Sequence, residues 1–359
     1  MMLYKLLART DKSRYHSSVI SLTDKGALGE PLEAQGISVT ALGTNMGMTF
    51  PFTLVRLIRR IRVLNPDLIQ GWMSHGNIAA QFASIFAHRH VPVLWNIRQS
   101  IYSLKYERRM TASLIKMAGL LSYFPNVIVY NSVKSAEQHE TLGYRRNRRM
   151  IIPNGFDIDI FKPDPNSANA VRQELNIPDD HFIIGMIGRF DPMKDHGTFL
   201  KAASLLLKRH SKIHFLLAGD QVDWRNETLR DAISDLAISS KVCLLGERRD
   251  IPRLNAALGI ASSSSYTESF PNVIGEAMSC GVPCVATDVG DSSWLIGETG
   301  RVVPPRDPGA LAKAWIDLIE MGSTYRQSLG QAARQRIIDK FSLELIVHKY
   351  ETLYEDLIN

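Results

Sequence analysis

Short apolar runs alternate with longer segments of helical period along the whole chain. In the first half, Ser18–Leu22, Ser38–Leu42, Asp67–Gly71, Val91–Ile97, Asn126–Asn131 and Met150–Pro153 are short and apolar enough to predict strands. Between them, Pro51–Leu64, Asn77–Ala87, Tyr102–Leu121 and Val133–Leu142 carry the apolar spacing of helices, as does Met1–Thr10 at the start. Residues 153–168 have the proline and polar content of a linker. The alternation then restarts. Strands are expected at Phe182–Ile187, 213–218, 241–245, 258–262, 282–287 and 300–303, and helices over 225–237, 308–321, 324–340 and 343–357. Repeated strand–helix alternation predicts an α/β protein built on doubly wound parallel sheets. The expected division is 1–165 and 166–341, followed by a last amphipathic helix in 342–359.

A chain of 359 residues is long enough for two such domains, each with a core of its own. No run of eighteen apolar residues exists, which argues against a membrane span, and the first eighteen residues are too broken by charge for a signal peptide. Three cysteines, Cys243, Cys280 and Cys284, lack the companion ligands of a metal site and read as small buried thiols in a reducing, cytosolic setting. Net charge is +6 but uneven: residues 1–150 hold 20 Lys/Arg against 8 Asp/Glu, leaving 22 against 28 for the rest. The first half is therefore expected to meet something anionic. Helix 51–64 sets Arg56, Arg59, Arg60 and Arg62 among apolar Leu54, Leu57, Ile58 and Ile61, and helix 102–121 adds Lys105, Arg108, Arg109 and Lys116. Such helices can rest on an anionic membrane surface, or can simply show solvent a charged face. Nucleic acid is the weaker expectation, since no nucleic-acid-binding motif accompanies the charge.

The candidate chemistry collects at strand ends, where ligands of open parallel sheets bind. Residues 258–287 read as strand, loop, helix and strand, with Pro271 at the helix start and Gly281 at its end. Glu268 and Glu276 lie on either side of that helix start. The free amides there suit phosphate oxygens, and carboxylates beside them can accept sugar hydroxyls. A capping carboxylate and an ordinary surface glutamate would give the same spacing. Gly188 opens a turn after strand 182–187, and Arg189 and Lys194 leave the loop that follows it. A guanidinium fork with a mobile ammonium matches a diphosphate, although two solvated cations would look alike. His75 follows strand 67–71, while Arg98 and Ser100 follow strand 91–97. Asp157-x-Asp159 reads as turn chemistry rather than as a metal-binding pair.

The segment Glu268-Ser-Phe-Pro-Asn-Val-Ile-Gly-Glu276-Ala-Met, with Gly281-Val-Pro beyond it, resembles the E-x7-E segment of the retaining glycosyltransferases of family 4. Pro153-Asn-Gly-Phe-Asp157, the Gly188-Arg189…Lys194 loop and His75 match that family in order, so the resemblance covers nearly the whole chain. It implies the GT-B fold, two Rossmann-like domains facing across a cleft, with helix 343–357 packing back on the N-terminal domain. It also implies transfer of a sugar, with retention, from a nucleoside-diphosphate sugar (UDP or GDP foremost) to a hydroxyl acceptor. The acceptor is expected to be a carbohydrate or lipid-linked, as in bacterial cell-surface polysaccharide or glycolipid synthesis. The enzyme would then work in the cytoplasm or peripherally on the inner face of its membrane, without a cofactor or required metal.

On that resemblance Arg189 and Lys194 would meet the diphosphate, Glu268 the donor sugar, and His75 would lie near that sugar. Glu276 would hold the ribose. Gly188, Ser269, Phe270, Asn272 and Val273 complete the donor side, Arg248 and Arg249 border the base, and Arg98 and Ser100 are the acceptor-side candidates. Other GT-B activities, such as a nucleotide-sugar epimerase, and a non-catalytic sugar-nucleotide-binding protein are the rival readings. Family members open on a strand and a glycine-rich turn before the first helix. Here Met1–Thr10 reads as that helix, so the first strand of the N-terminal domain is expected to be missing from this sequence.

Overall fold

A computed structural model describes residues 2–43, 50–101, 104 and 109–359. Two compact units emerge, Met1–Gly155 with Leu343–Asn359, and Phe156–Ser342.

In the first unit the order is α1 (Met2–Arg9), β1 (Ser18–Ser21), α2 (Gly29–Ala34), β2 (Ser38–Ala41), α3 (Phe50–Leu64), β3 (Ile69–Trp72), α4 (Met73–Ile85), β4 (Val93–Ile97), α5 (Arg109–Leu121), β5 (Val127–Tyr130), α6 (Val133–Thr141) and β6 (Arg149–Ile151). Strands β3-β4-β5-β6 form one parallel sheet, and β1 and β2 pair parallel in a separate one. Among the described residues no strand joins the two. Strand β4 is buried along its whole length, because helices cover both faces of a parallel sheet. The predicted helix 102–121 is described from Arg109 on; Tyr102, Lys105, Tyr106 and Arg108 lie outside the described residues.

The second unit runs α7 (Pro165–Leu175), β7 (Phe182–Ile187), α8 (His196–Leu207), β8 (Ile213–Ala218), α9 (Glu227–Asp235), β9 (Val242–Leu244), α10 (Ile251–Ala256), β10 (Ile260–Ser263), α11 (Asn272–Ser279), β11 (Cys284–Thr287), α12 (Ser292–Ile296), β12 (Gly300–Val303), α13 (Pro308–Glu320) and α14 (Gly322–Phe341). Helix α15 (Leu343–Ile358) belongs to the first unit, where Leu343, Ile346, Val347, Tyr350 and Leu353 share a core with Leu6, Leu94, Val129 and Ile152. The six-stranded parallel sheet has the order β12-β11-β10-β7-β8-β9. The order in which the chain fills the sheet reverses at the adjacent strands β7 and β10, the position beyond whose carboxyl ends open parallel sheets bind ligands.

The boundary between units falls earlier than the linker composition of 153–168 indicates. Phe156 is fully buried in the second unit, its ring stacked 6.1 Å from Phe270, and a Cβ on Gly275 would sit 2.0 Å from that ring. Only glycine at position 275 leaves room for it. The end of the same stretch is helix, because Asp164 accepts from the Asn166 amide and Pro165 suits a first helical position. Asp157 Oδ1 accepts from the amides of Asp159 and Ile160 at 3.2 and 3.1 Å, the turn chemistry expected of it.

Candidate active site

The site builds from the two loops at the sheet's reversal point. After β7, Asp191 accepts from the Met193 amide at 2.9 Å and opens a short 3₁₀ turn, Pro192–Lys194. Asp195 then adopts a left-handed conformation (φ 49°) and caps α8, accepting from the Thr198 amide at 3.1 Å and its hydroxyl at 2.7 Å. These two Asp caps fix the loop at both ends, so the Arg189 and Lys194 backbones are held before any ligand arrives.

The second loop, after β10, is fastened to the first. Ser264 Oγ lies 3.0 Å from the Lys194 carbonyl and 2.9 Å from that of Asp195, and the Tyr266 amide donates to the Met193 carbonyl at 3.0 Å. The ammonium of Lys194 bonds Glu268 Oε1, and Ser265 Oγ donates to the same oxygen at 2.9 Å. Residues 74 apart in sequence thus meet in one partly buried ion pair. Gly290 (φ 54°) closes the back of this loop: a Cβ there would lie 2.5 Å from the Glu268 carbonyl and 2.6 Å from that of Ser269.

Arg189 reaches outward and forks onto Asp191 Oδ2 at 2.8 and 3.1 Å. Burial alone would raise the Asp191 carboxyl, but the Met193 amide and the Arg189 guanidinium outweigh it and hold it below its ordinary value. Behind Lys194, His196 is buried against Phe190, and neither ring nitrogen has a hydrogen-bond partner. Burial, with Lys194 nearby, pushes its pKa down to about 4 and keeps the ring neutral.

The remaining expected residues are distributed as follows. Glu276 is half-buried in the second turn of α11, and Asn272 and Val273 form its first turn. Gly188 directly follows β7, and a Cβ there would lie 3.8 Å from the Lys194 side chain. Ser269 is half-buried beside Glu268. Phe270, expected on the donor side, has its ring buried among Phe156, Trp294 and Phe341, which anchors the loop that carries Glu268. Arg248 donates to Asp250 at 2.8 Å through two nitrogens and to Glu174 at 2.7 Å, and Arg253 engages the same two carboxylates. Its guanidinium is committed to fastening α10 to α7, while neighbouring Arg249 is exposed.

In the first unit His75 is exposed in the opening turn of α4, two residues after Met73, which holds a strained φ of 62°. Arg98 is satisfied inside its own unit. It donates to Asn96 Oδ1 at 2.7 Å, to Asn154 Oδ1 at 2.5 Å and to the Tyr350 hydroxyl, with its Cζ 5.1 Å from the Trp72 ring centroid. Ser100 is half-buried in the segment after β4, which Ser135 and Gln138 of α6 tie down through Gln99 and Ile101.

Sequence reasoning passed over Ser264, Ser265, Tyr266, Asp195 and Gly290. The serines gave a signal, four in a row after a buried strand, but it read as loop composition. Among the described residues no three His, Cys, Asp or Glu side chains cluster as metal ligands do. Cys280 and Cys284 are buried thiols, that of Cys280 pushed up by burial to about 12.

Comparison with known proteins agrees with this architecture. The family described as "Glycosyltransferase Family 4" matches residues 1–160, and "Glycosyl transferases group 1" matches 181–321. HepE of Anabaena, solved in complex with UDP-glucose, is 25% identical with a TM-score of 0.83, covering 99% of this chain and 95% of that one. A D-inositol 3-phosphate glycosyltransferase of Corynebacterium urealyticum is 28% identical over 338 residues, 90% of this chain and 78% of its own length. An Escherichia coli alpha-1,3-galactosyltransferase acting on GlcNAc-diphosphoundecaprenol is 25% identical over 212 residues, 58% of this chain and 54% of the relative. The chain spans about half the length of several such curated relatives. With both Rossmann-like units matched in order, the chain belongs to the family 4, group 1 glycosyltransferases and has their GT-B fold.

Proposed function

We propose that the protein transfers a sugar, with retention, from a nucleoside-diphosphate sugar to a hydroxyl of a carbohydrate or lipid-linked acceptor. The observation that carries this reading is the meeting of Lys194 with Glu268 at the sheet's reversal point. It puts a mobile cation for a leaving diphosphate beside a carboxylate able to accept sugar hydroxyls. HepE in complex with UDP-glucose makes a UDP-sugar the first donor to test.

In the proposed reaction the acceptor oxygen bonds the anomeric carbon as the bond from that carbon to the phosphate oxygen breaks. The acceptor proton passes to the departing diphosphate on the same face, so no protein nucleophile is required. Arg189 and Lys194 offset the charge growing on the diphosphate, and the amides at the start of α11 add to them. Glu276 accepts from the ribose hydroxyls, and Glu268, held by Ser265, orients the donor sugar. We read the transfer as needing no resident metal, the two cations serving that role.

Thermal shift across UDP-, GDP- and ADP-sugars tests the donor, since a ligand stabilises the fold with the logarithm of its excess over Kd. Product analysis with and without a hydroxyl acceptor then tests the reaction. Stabilisation by none of the nucleotide sugars overturns the reading; epimerised donor without any transfer replaces it with an isomerase.

A further inference from the structure

Arg306 lies in the turn after β12 and holds a left-handed backbone, φ 59°. Glycine, asparagine and aspartate reach that conformation readily, whereas an arginine holds it against a steric penalty. Burial does not offset the penalty, because the residue is exposed. Nor does the helix that follows require an arginine there: Asp307 caps α13 with its own side chain, accepting from the Ala310 amide at 2.9 Å. What the arginine gains is a ring. Its Cζ stands 4.2 Å from the centroid of Tyr266, the closest approach of a guanidinium to an aromatic ring among the described residues.

Tyr266 belongs to the loop that carries Glu268, two residues before it. Strands β10, β11 and β12 are parallel neighbours, so the turn after β12 and the loop after β10 leave the sheet at the same edge. The backbone of the Glu268 loop is tied down by the Tyr266 amide on the Met193 carbonyl and by the Thr287 hydroxyl on the Ser265 carbonyl. Ser264 adds bonds to the carbonyls of Lys194 and Asp195. The half-buried Tyr266 ring is a separate hold on the same loop, and Arg306 covers it from the exposed side. A non-glycine residue kept in a sparsely populated conformation beside a candidate site points to function at that position.

We propose that Arg306 is a positioning residue for the donor sugar: stacked on Tyr266, it steadies the loop that aims Glu268, and the strain at position 306 is retained for that contact. The proposal rests on the donor reading above, in which Glu268 meets the sugar. Strain and stacking move different observables. Arg306→Gly removes both the strain and the stack, whereas Arg306→Ala removes the stack alone.

The test uses whichever of UDP-, GDP- and ADP-glucose stabilises the parental protein most. Both Arg306 variants should lower kcat for release of the nucleoside diphosphate alike, by about fivefold, the rate equivalent of one cation–π contact. Affinity for the free nucleoside diphosphate, by titration calorimetry, should stay within about twofold, since that ligand lacks the sugar. Melting temperature should separate the variants, Arg306→Gly standing above Arg306→Ala by a few degrees. Tyr266→Leu should cost as much kcat as Arg306→Ala, and the double variant no more than either alone. Unchanged kcat in both Arg306 variants overturns the proposal, and so does a loss of kcat that tracks melting temperature or adds in the double variant. Free-diphosphate affinity that falls as far as kcat overturns it too. A parental protein that neither these nucleotide sugars nor UDP stabilises counts against the donor reading itself, and the proposal falls with it.

Discussion

Ser265 donates its hydroxyl to Glu268 Oε1 at 2.9 Å, the oxygen that also receives the Lys194 ammonium. A serine from the end of a strand therefore sets the direction of the carboxylate proposed to hold the donor sugar. Ser265→Ala should lower kcat about tenfold and leave donor KM nearly unchanged, the expected size for a hydrogen bond to a charged group of about 1.5 kcal/mol. Ser265→Thr, which keeps the hydroxyl, should recover most of the loss. Steady-state kinetics on the two variants with one donor decides between this role and plain packing.

The two cations divide differently. Arg189 is exposed and steadied by Asp191, whereas Lys194 is partly buried against Glu268. Alanine at either position should cut turnover by about 10² to 10³, the usual cost of removing one preorganised partner of developing charge. Lys194→Ala should also lower the melting temperature, because Glu268 loses the cation that faces it. Near-parental turnover by both variants, with unaltered circular dichroism, would remove the diphosphate assignment.

Glu276 and Glu268 should separate binding from turnover. Glu276→Gln is expected to weaken binding of the free nucleoside diphosphate about tenfold, since a carboxylate accepts ribose hydroxyls more strongly than an amide does. Glu268→Gln should leave that affinity within about twofold and instead lower turnover, a donor-sugar contact being absent from the free nucleotide. Titration calorimetry with the nucleoside diphosphate measures both.

His139 gives the first unit a defined response to acid. Its ring is buried between Tyr130 and Tyr144, Nδ1 lies 2.8 Å from the Ser135 carbonyl, and burial lowers its pKa from 6.5 to about 4. Below pH 6.5 the unfolded chain takes up a proton that the folded ring refuses, so unfolding is favoured as pH falls. The stability present above pH 6.5 is lost progressively toward pH 4, by up to about 3 kcal/mol for this group. Denaturant unfolding at several pH values should show the slope, and His139→Gln should flatten it even if it lowers stability throughout.

Much of the local structure around the candidate site was legible because its signals are local. The strand before Glu268, the helix after it and the Arg189–Lys194 loop each announce themselves within a dozen residues. What escaped depends on partners far along the chain. Ser262, Ser263, Ser264 and Ser265 are all buried, since Trp315, the Lys194 carbonyl and Glu268 satisfy three of the hydroxyls, and no local pattern contains those partners. Helix α8 escaped for the opposite reason. Its His196, Thr198, Phe199, Leu200, Ala202, Ala203 and Leu206 are buried, so it lacks the polar stripe by which an amphipathic helix is recognised. Arg248 and Phe270 show what a motif leaves open: it gives the backbone's neighbourhood, while burial and countercharge direct the side chain.

The guanidinium of Arg98 gathers Asn96, Asn154 and Tyr350, the last of them 252 residues further along the chain. Helix α15, which brings Tyr350, also supplies much of the core around Leu6, Leu94 and Val129. During synthesis those positions leave the ribosome long before α15 does, with the whole of 156–342 made in between. The first unit to be translated is thus the last to close. Until α15 arrives, Leu94 and Val129 lack their cover and the Arg98 guanidinium lacks its Tyr350 acceptor, a state suited to chaperone binding and exposed to proteases. Limited proteolysis of nascent chains stalled before residue 343 should cut within 1–155 while sparing 156–342.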